Sequence, residues 1–100
     1  MTPEGKVKDY IKRFLKSLPD CWFFMPIGGA FAAHGTPDII CCINGRMVAI
    51  ECKAPGKESN VTANQQRAID LINKAGGLAF VASHVDHVKL ALAKAGLYVL

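Results

Sequence analysis

The sequence predicts an α/β fold in the order α-β-β-β-α-β, and three observations carry that prediction. Apolar residues recur at helical spacing from Val7 to Leu18. Two apolar runs are joined by Asn44-Gly45, the strongest short-range hairpin signal. A capped helical segment from Thr62 to Ala75 leads, through Gly76-Gly77, into the apolar run LAFVA. All of it fits in 100 residues, one domain from residue 1 to residue 100, with no repeat and no low-complexity segment.

Each element has its own signals. Thr2-Pro3-Glu4 reads as a helix start, with Thr2 as N-cap and Pro3 in the first helical position. Val7, Tyr10, Ile11, Phe14, Leu15 and Leu18 line the apolar side. Lys6, Lys8, Lys12, Arg13 and Lys16 fill the polar side, and Pro19-Asp20 ends the helix. CWFFM is a short aromatic strand, whose Trp22, Phe23 and Phe24 read as core rather than as a base-stacking platform. GGAFAAHG, ending at Gly35, is a loop. Asp38 to Ile43 and Arg46 to Lys53 are the two hairpin strands. APGKESNV, residues 54–61, is a polar loop expected to be mobile. Val85 to Ala95 forms a third helix closed by Gly96, and Tyr98-Val99-Leu100 is a candidate last strand.

The totals exclude several classes. About half the residues are hydrophobic and a fifth are charged, which is a globular balance rather than a disordered one. The net charge of +4 tilts weakly toward an anionic partner. Cys21, Cys41, Cys42 and Cys52 include no C-x-x-C pair, which argues against zinc. Adjacent Cys41 and Cys42 belong on opposite faces of a strand, and the apolar settings suggest reduced, packed thiols. The opening MTPEGKVKDY carries charge and no apolar core, so no signal peptide is expected. CWFFMPIGGAFAA is too short and too broken to span a bilayer. From these features the chain is expected in the cytoplasm and away from membranes.

The hairpin carries the chemistry. With Asn44 and Gly45 as the two loop residues, Ile43 pairs with Arg46, and counting back sets Asp38 directly opposite Glu51. Such neighbours share a face, with Cβ atoms roughly 4.5–5.5 Å apart. Lys53 lies two residues beyond Glu51 and shares that face. Opposed like charges are destabilising unless something compensates. A hard divalent cation, Mg²⁺ or Mn²⁺, fits the two oxygen donors, and the lysine suits a developing anion or an attacking water. Together these groups suit hydrolysis of a phosphodiester. The plainer alternative is a loop-end aspartate beside a solvated strand end, and a slip of one residue in register would separate the faces.

Other polar residues are ambiguous. Glu4 shares a helix face with Val7 and Ile11, yet acids are favoured in a first turn by the macrodipole. Thr62 to Gln65 fits a capping box, while Gln65 also begins an apolar stripe with Ile69 and Ile72. His34 is either a loop residue or a phosphate contact. His84 and His87 flank Asp86 at a helix start, where capping and solvation account for them. Lys57, Lys6 and Lys12 are candidates for phosphate-backbone contacts, against a default of solvated lysines.

These residues together resemble a family. Gly35-Thr36-Pro37-Asp38-Ile39-Ile40, the Asn-Gly turn, Ile50-Glu51-Cys52-Lys53, Thr62-x-x-Gln65 and Ala75-Gly76-Gly77 occur in order across nearly the whole chain. The pattern looks like the VRR-NUC branch of the PD-(D/E)XK nuclease superfamily, in its short stand-alone, virus-type form. The resemblance implies a restriction-endonuclease-like core, a mixed sheet flanked by helices. It implies that Asp38 and Glu51 are metal ligands, with the backbone carbonyl of Cys52, and that Lys53 is the catalytic lysine. Gln65 matches the family's motif glutamine, and Glu4 its helix-1 glutamate, a further metal ligand. The implied activity is a Mg²⁺- or Mn²⁺-dependent DNA endonuclease, similar to Holliday-junction resolvases that act as dimers on four-way junctions. Many relatives carry a basic residue near the G-x-P-D loop, where this chain has Ala33-His34.

Two other classes compete with a homodimeric nuclease. One is a DNA-binding module that cleaves little, against which the intact acids and lysine argue. The other is a dimeric regulatory subunit of a larger nuclease. In a C2 dimer, exposed apolar residues of the last helix or the final strand, such as Leu97, Tyr98 and Val99, are expected at the interface.

Overall fold

The structure is a computed structural model that describes residues 1–27 and 34–100. Helix α1 spans Pro3–Ser17, followed by strands β1 (Cys21–Phe24), β2 (Ile39–Ile43) and β3 (Arg46–Cys52). Helix α2 (Ala63–Lys74), strand β4 (Leu78–Ala82) and helix α3 (Val85–Lys94) complete the chain. The sheet runs β1-β2-β3-β4, with the first two pairings antiparallel and β3 parallel to β4. It is the expected mixed sheet flanked by helices, with α3 appended. Of the predicted GGAFAAHG loop, residues 28–33 lie outside the described residues, and His34 and Gly35 form a turn.

The hairpin register follows the turn. Asn44 and Gly45 take φ of 50° and 80°, the left-handed geometry of a type I′ turn. Ile43 pairs with Arg46 and Ile39 with Ile50. β2 begins one residue later than expected, because Asp38 sits in a bend just before it.

Alternation along β3 splits the protein into two layers. Val48, Ile50 and Cys52 join Ile39, Cys41 and Ile43 beneath Val7, Ile11 and Leu15 of α1 and Val88 and Leu92 of α3. Ala49 points the other way and packs with Ile69 of α2 and Ala79. Each buried Ile or Leu is worth roughly 1.5–3 kcal/mol, so the α1/α3 side carries most of the stability. Cys41 is buried and Cys42 exposed, as adjacency on a strand requires. All four cysteines are free, and burial pushes the thiols of Cys41 and Cys52 up to about 12.

Two expectations fail. Trp22 and Phe24 are exposed rather than core, because β1 turns only Cys21 and Phe23 toward α1. Residues 98–100 form no strand: Leu97 N–H bonds the Leu92 carbonyl at 2.8 Å, and the Tyr98 ring packs edge-on against Phe14 at 5.2 Å. That contact draws the tail onto α1. The 54–61 loop makes hydrogen bonds of its own and one to the core. Lys57 N–H bonds Ala54 O and Asn60 N–H bonds Lys57 O, both at 2.9 Å. Ser83 Oγ, buried at the end of β4, donates to Glu58 Oε1 at 2.6 Å. No helix among the described residues is long and apolar enough to cross a membrane.

Candidate active site

The site forms where the hairpin ends and β3 runs out beside α2. Pro37 and Asp38 precede β2, so the ladder stops at Ile39 and the next amide of β3 lacks a backbone partner on that side. Asp38 supplies one: its Oδ2 accepts from Cys52 N–H at 2.8 Å. The contact Cys52 brings here is therefore through its amide. The other oxygen of Asp38 lies 3.4 Å from Lys8 Nζ.

Glu51 is only 3% exposed. Its Oε2 accepts from Gln65 Nε2 at 3.3 Å and stands 3.7 Å from Lys53 Nζ. Lys53, also buried, donates from Nζ to Gln65 Oε1 at 2.9 Å. The same Oε1 accepts from Thr62 N–H at 3.0 Å, while Gln65 N–H donates to Thr62 Oγ1 at 3.1 Å. Gln65 thus closes the capping box and holds the acid–lysine pair with one side chain. Two donors on its oxygen and a carboxylate at its nitrogen fix the orientation of the amide.

Gly35 makes that reach possible. Its φ is 81°, and a Cβ there would fall 2.3 Å from the carbonyl carbon and oxygen of Asn64. Only glycine lets the turn before Asp38 lie against the first turn of α2.

The electrostatics are unbalanced. Burial, then the hydrogen bond and charge of Asp38, push Glu51 up to about 8, against a smaller opposing pull from Lys53. Lys8 lies 3.3 Å from Glu4 and so links it to Asp38. Burial alone would lower the Lys8 pKa, but Asp38 and Glu4 together outweigh it and hold the ammonium above its usual range.

The structure therefore brings Asp38, Glu51, Lys53 and Gln65 into one cluster, with Glu4 joined to it through Lys8. Lys6, Lys57 and His34 stand exposed, and Lys12 half-buried on α1, outside that cluster. His34 borders a cleft with Asn64 and Arg67. Lys6 borders another of about 460 Å³ with Tyr10, Pro55 and Val85. Lys8 is the residue that sequence reasoning missed. Its spacing of four from Glu4 was the available signal.

Among the described residues, no three His, Cys, Asp or Glu side chains gather into a metal cage. Mg²⁺ does not need one: it is usually held by one or two carboxylates, with water and phosphate completing the shell. Burial first, and then the neighbouring Asp38, disfavour charge on Glu51, and a cation held by these two acids would offset that cost.

One solved structure, described as a VRR_NUC domain, superposes with a TM-score of 0.70 over 94% of this chain and 97% of that one, at 24% identity. The chain has the VRR_NUC domain fold. No family model matches the sequence, and no curated protein matches it. On the VRR_NUC fold, the opposed acids, the lysine and the glutamine sit where β2 begins and β3 ends.

Proposed function

We propose that the chain is a metal-dependent endonuclease that hydrolyses DNA phosphodiester bonds. The observation that carries this reading is the buried pair Glu51 and Lys53, both held by Gln65, with half-buried Asp38 beside Glu51. The likeness to a VRR_NUC domain supports it. In this reading Asp38 and Glu51 hold Mg²⁺ or Mn²⁺, with the Cys52 carbonyl, and Glu4 is a further ligand. The cation, when bound, supplies charge neutralisation at the phosphoryl oxygens and a more acidic water. Lys53, its Nζ aimed by Gln65, orients the attacking water and offsets charge as one bridging P–O bond breaks. Lys57, Lys6, Lys12 and His34 contact the DNA backbone. The substrate is a branched DNA such as a four-way junction, cut by a homodimer, in the cytoplasm.

The test uses a labelled four-way junction beside a matched linear duplex, in EDTA, Mg²⁺ or Mn²⁺. Cleavage is expected with metal only, to favour the junction, and to vanish in Asp38→Ala and Lys53→Ala. Equal cutting of both substrates would remove the junction preference. A wild-type protein that binds DNA with metal but cuts neither substrate would leave a binding module.

A further inference from the structure

Among the described residues, one half of the sheet has no helix or loop over it. Cross-strand pairing sets Trp22, Cys42 and Met47 in one row, and Phe24, Ile40 and Ala49 in the next. Both rows belong to the face that α2 packs against, and α2 reaches Ala49 and Ala79 of β3 and β4. Beyond that cover, Trp22 is 67% exposed, Phe24 45% and Met47 39%, while Leu71 of α2 is 56% exposed beside Ile40. The Trp22 and Phe24 rings lie 5.7 Å apart on β1, the edge of the sheet among the described residues. Exposed edges are normally guarded by charge, proline or a bulge. CWFF has neither charge nor proline.

We infer that this open face of β1 and β2 is where a second copy of the chain docks, with Trp22 at the centre. The inference locates the homodimer of the proposed function, and it stands on the surface alone. Three arguments select a second copy. The four exposed side chains offer on the order of 450 Å² of apolar surface. One side of a standard interface spans about 800 Å², a little over half of it apolar, so the patch suits one partner's share. Trp22, Phe24, Met47 and Leu71 are uncharged, whereas a nucleic-acid surface takes its affinity from cations. An aromatic edge strand is also self-complementary under a two-fold axis, the symmetry of most dimers. The tail residues Leu97 and Tyr98, by contrast, are partly buried against the α1/α3 core.

Trp22 is the only tryptophan in the chain, so it reports on its own environment. Sedimentation and tryptophan emission would be followed in EDTA, without DNA, across about 0.1–50 µM protein, a range that spans typical dimer affinities. A dimer is expected at the upper end, with emission shifting to the blue as it forms. Each copy carries +4, so added salt should tighten association, the reverse of DNA binding. Trp22→Lys should weaken association at least about thirty-fold, while Val99→Lys on the exposed tail leaves it unchanged. Retained circular dichroism shows that both variants fold.

A monomer at 50 µM with constant emission would overturn the inference, as would a dimer that survives Trp22→Lys or is lost in Val99→Lys. An emission shift of the monomer on adding junction DNA, weakened by salt, would overturn it in favour of a base-stacking platform. None of these readouts depends on cleavage, so failure here is distinct from failure of the nuclease reading.

Discussion

Two polar clusters follow the C-terminal ends of the neighbouring parallel strands β3 and β4, and they are built on opposite terms. After β4, Ser83 is buried and its partners suit it. Its hydroxyl donates to Glu58 at 2.6 Å, and its amide donates to His87 Nδ1 at 3.1 Å. The Ser83 hydroxyl, aided by backbone bonds, holds Glu58 below the usual carboxylate range. At the end of β3, burial first, and then the hydrogen bond and charge of Asp38, push Glu51 up to about 8. Both clusters are polar, hydrogen-bonded and partly buried. What separates them is unresolved charge: one is complete as it stands, and the other would be relieved by the cation proposed for it. Burial of a polar group is therefore weak evidence of function, whereas opposed carboxylates beside an aimed lysine are stronger evidence.

The largest expected difference is in catalysis. Asp38→Asn keeps the shape of the side chain while removing a ligand charge, and Lys53→Met keeps its length. Each should lower metal-dependent cleavage of DNA by about a thousand-fold or more. Ser83→Ala should leave cleavage within a few-fold of wild type. If Ser83→Ala cost as much as Lys53→Met in single-turnover cleavage, the two clusters would be one catalytic unit and the contrast would collapse.

The second difference is in pH dependence. Glu51 titrates higher in the folded chain than its ordinary 4.5. Between about 4.5 and 8 the folded state therefore holds a proton that the unfolded state has lost. Stability contributed by this group is full below that window and declines as pH rises through it, by up to about 1.4 kcal/mol per pH unit. Glu58 has the opposite sign: its contribution is present above 4.5 and fades as pH falls through its lowered folded value. Urea denaturation in EDTA from pH 4 to 8.5 should show the Glu51 decline, and Glu51→Gln should flatten it. Mg²⁺ should offset the decline, with apparent affinity rising across the same window as the proton leaves. A wild-type profile that rises from pH 5 to 8 in EDTA would show that Glu51 is not held above its ordinary value.

Much of this site was legible because one turn type fixes one register. Asn44-Gly45 sets Asp38 against Glu51 by counting alone, and Lys53 follows by alternation. Gln65 presented a choice between cap and site that its geometry dissolves, since its oxygen serves the cap and Lys53 while its nitrogen serves Glu51. Lys8 was not legible because the five basic residues on the polar side of α1 look alike until the fold brings Asp38 to one of them. Trp22 and Phe24 were misread because alternation tells which face a residue occupies, not whether a helix covers it. The Glu58–Ser83–His87 clasp left no trace in the sequence, since a polar loop reads the same whether pinned or free. The three-dimensional partner decides each of these cases.

A backbone substitution sharpens the comparison further. Gly35→Ala forces a side chain into φ of 81° and against Asn64, the residue preceding Gln65. The left-handed cost and the clash together should remove about 2–4 kcal/mol of stability. The damage should centre on the β3 cluster, whose Gln65 must shift, and spare the Ser83 clasp. Amide exchange would show faster opening at Thr62 to Gln66 with 56–60 unchanged. Equal loss of protection in both segments would mean that the two clusters rest on one support.

The smallest effect belongs to the clasp. Ser83→Ala removes the hydroxyl that holds Glu58, and Glu58 can turn back to water, so the loss should be about 1 kcal/mol. The consequence is local, because the loop retains its own turns at Lys57 and Asn60. Exchange and proteolysis at residues 55–60 should rise while the melting temperature falls by only a few degrees. If Lys57 contacts DNA from this loop, a looser loop spends more entropy on binding. KM for DNA should then rise by a few-fold with kcat unchanged. A fall in kcat at constant KM would instead place Ser83 among the groups that act on the scissile phosphate, and the clasp would belong to the active site.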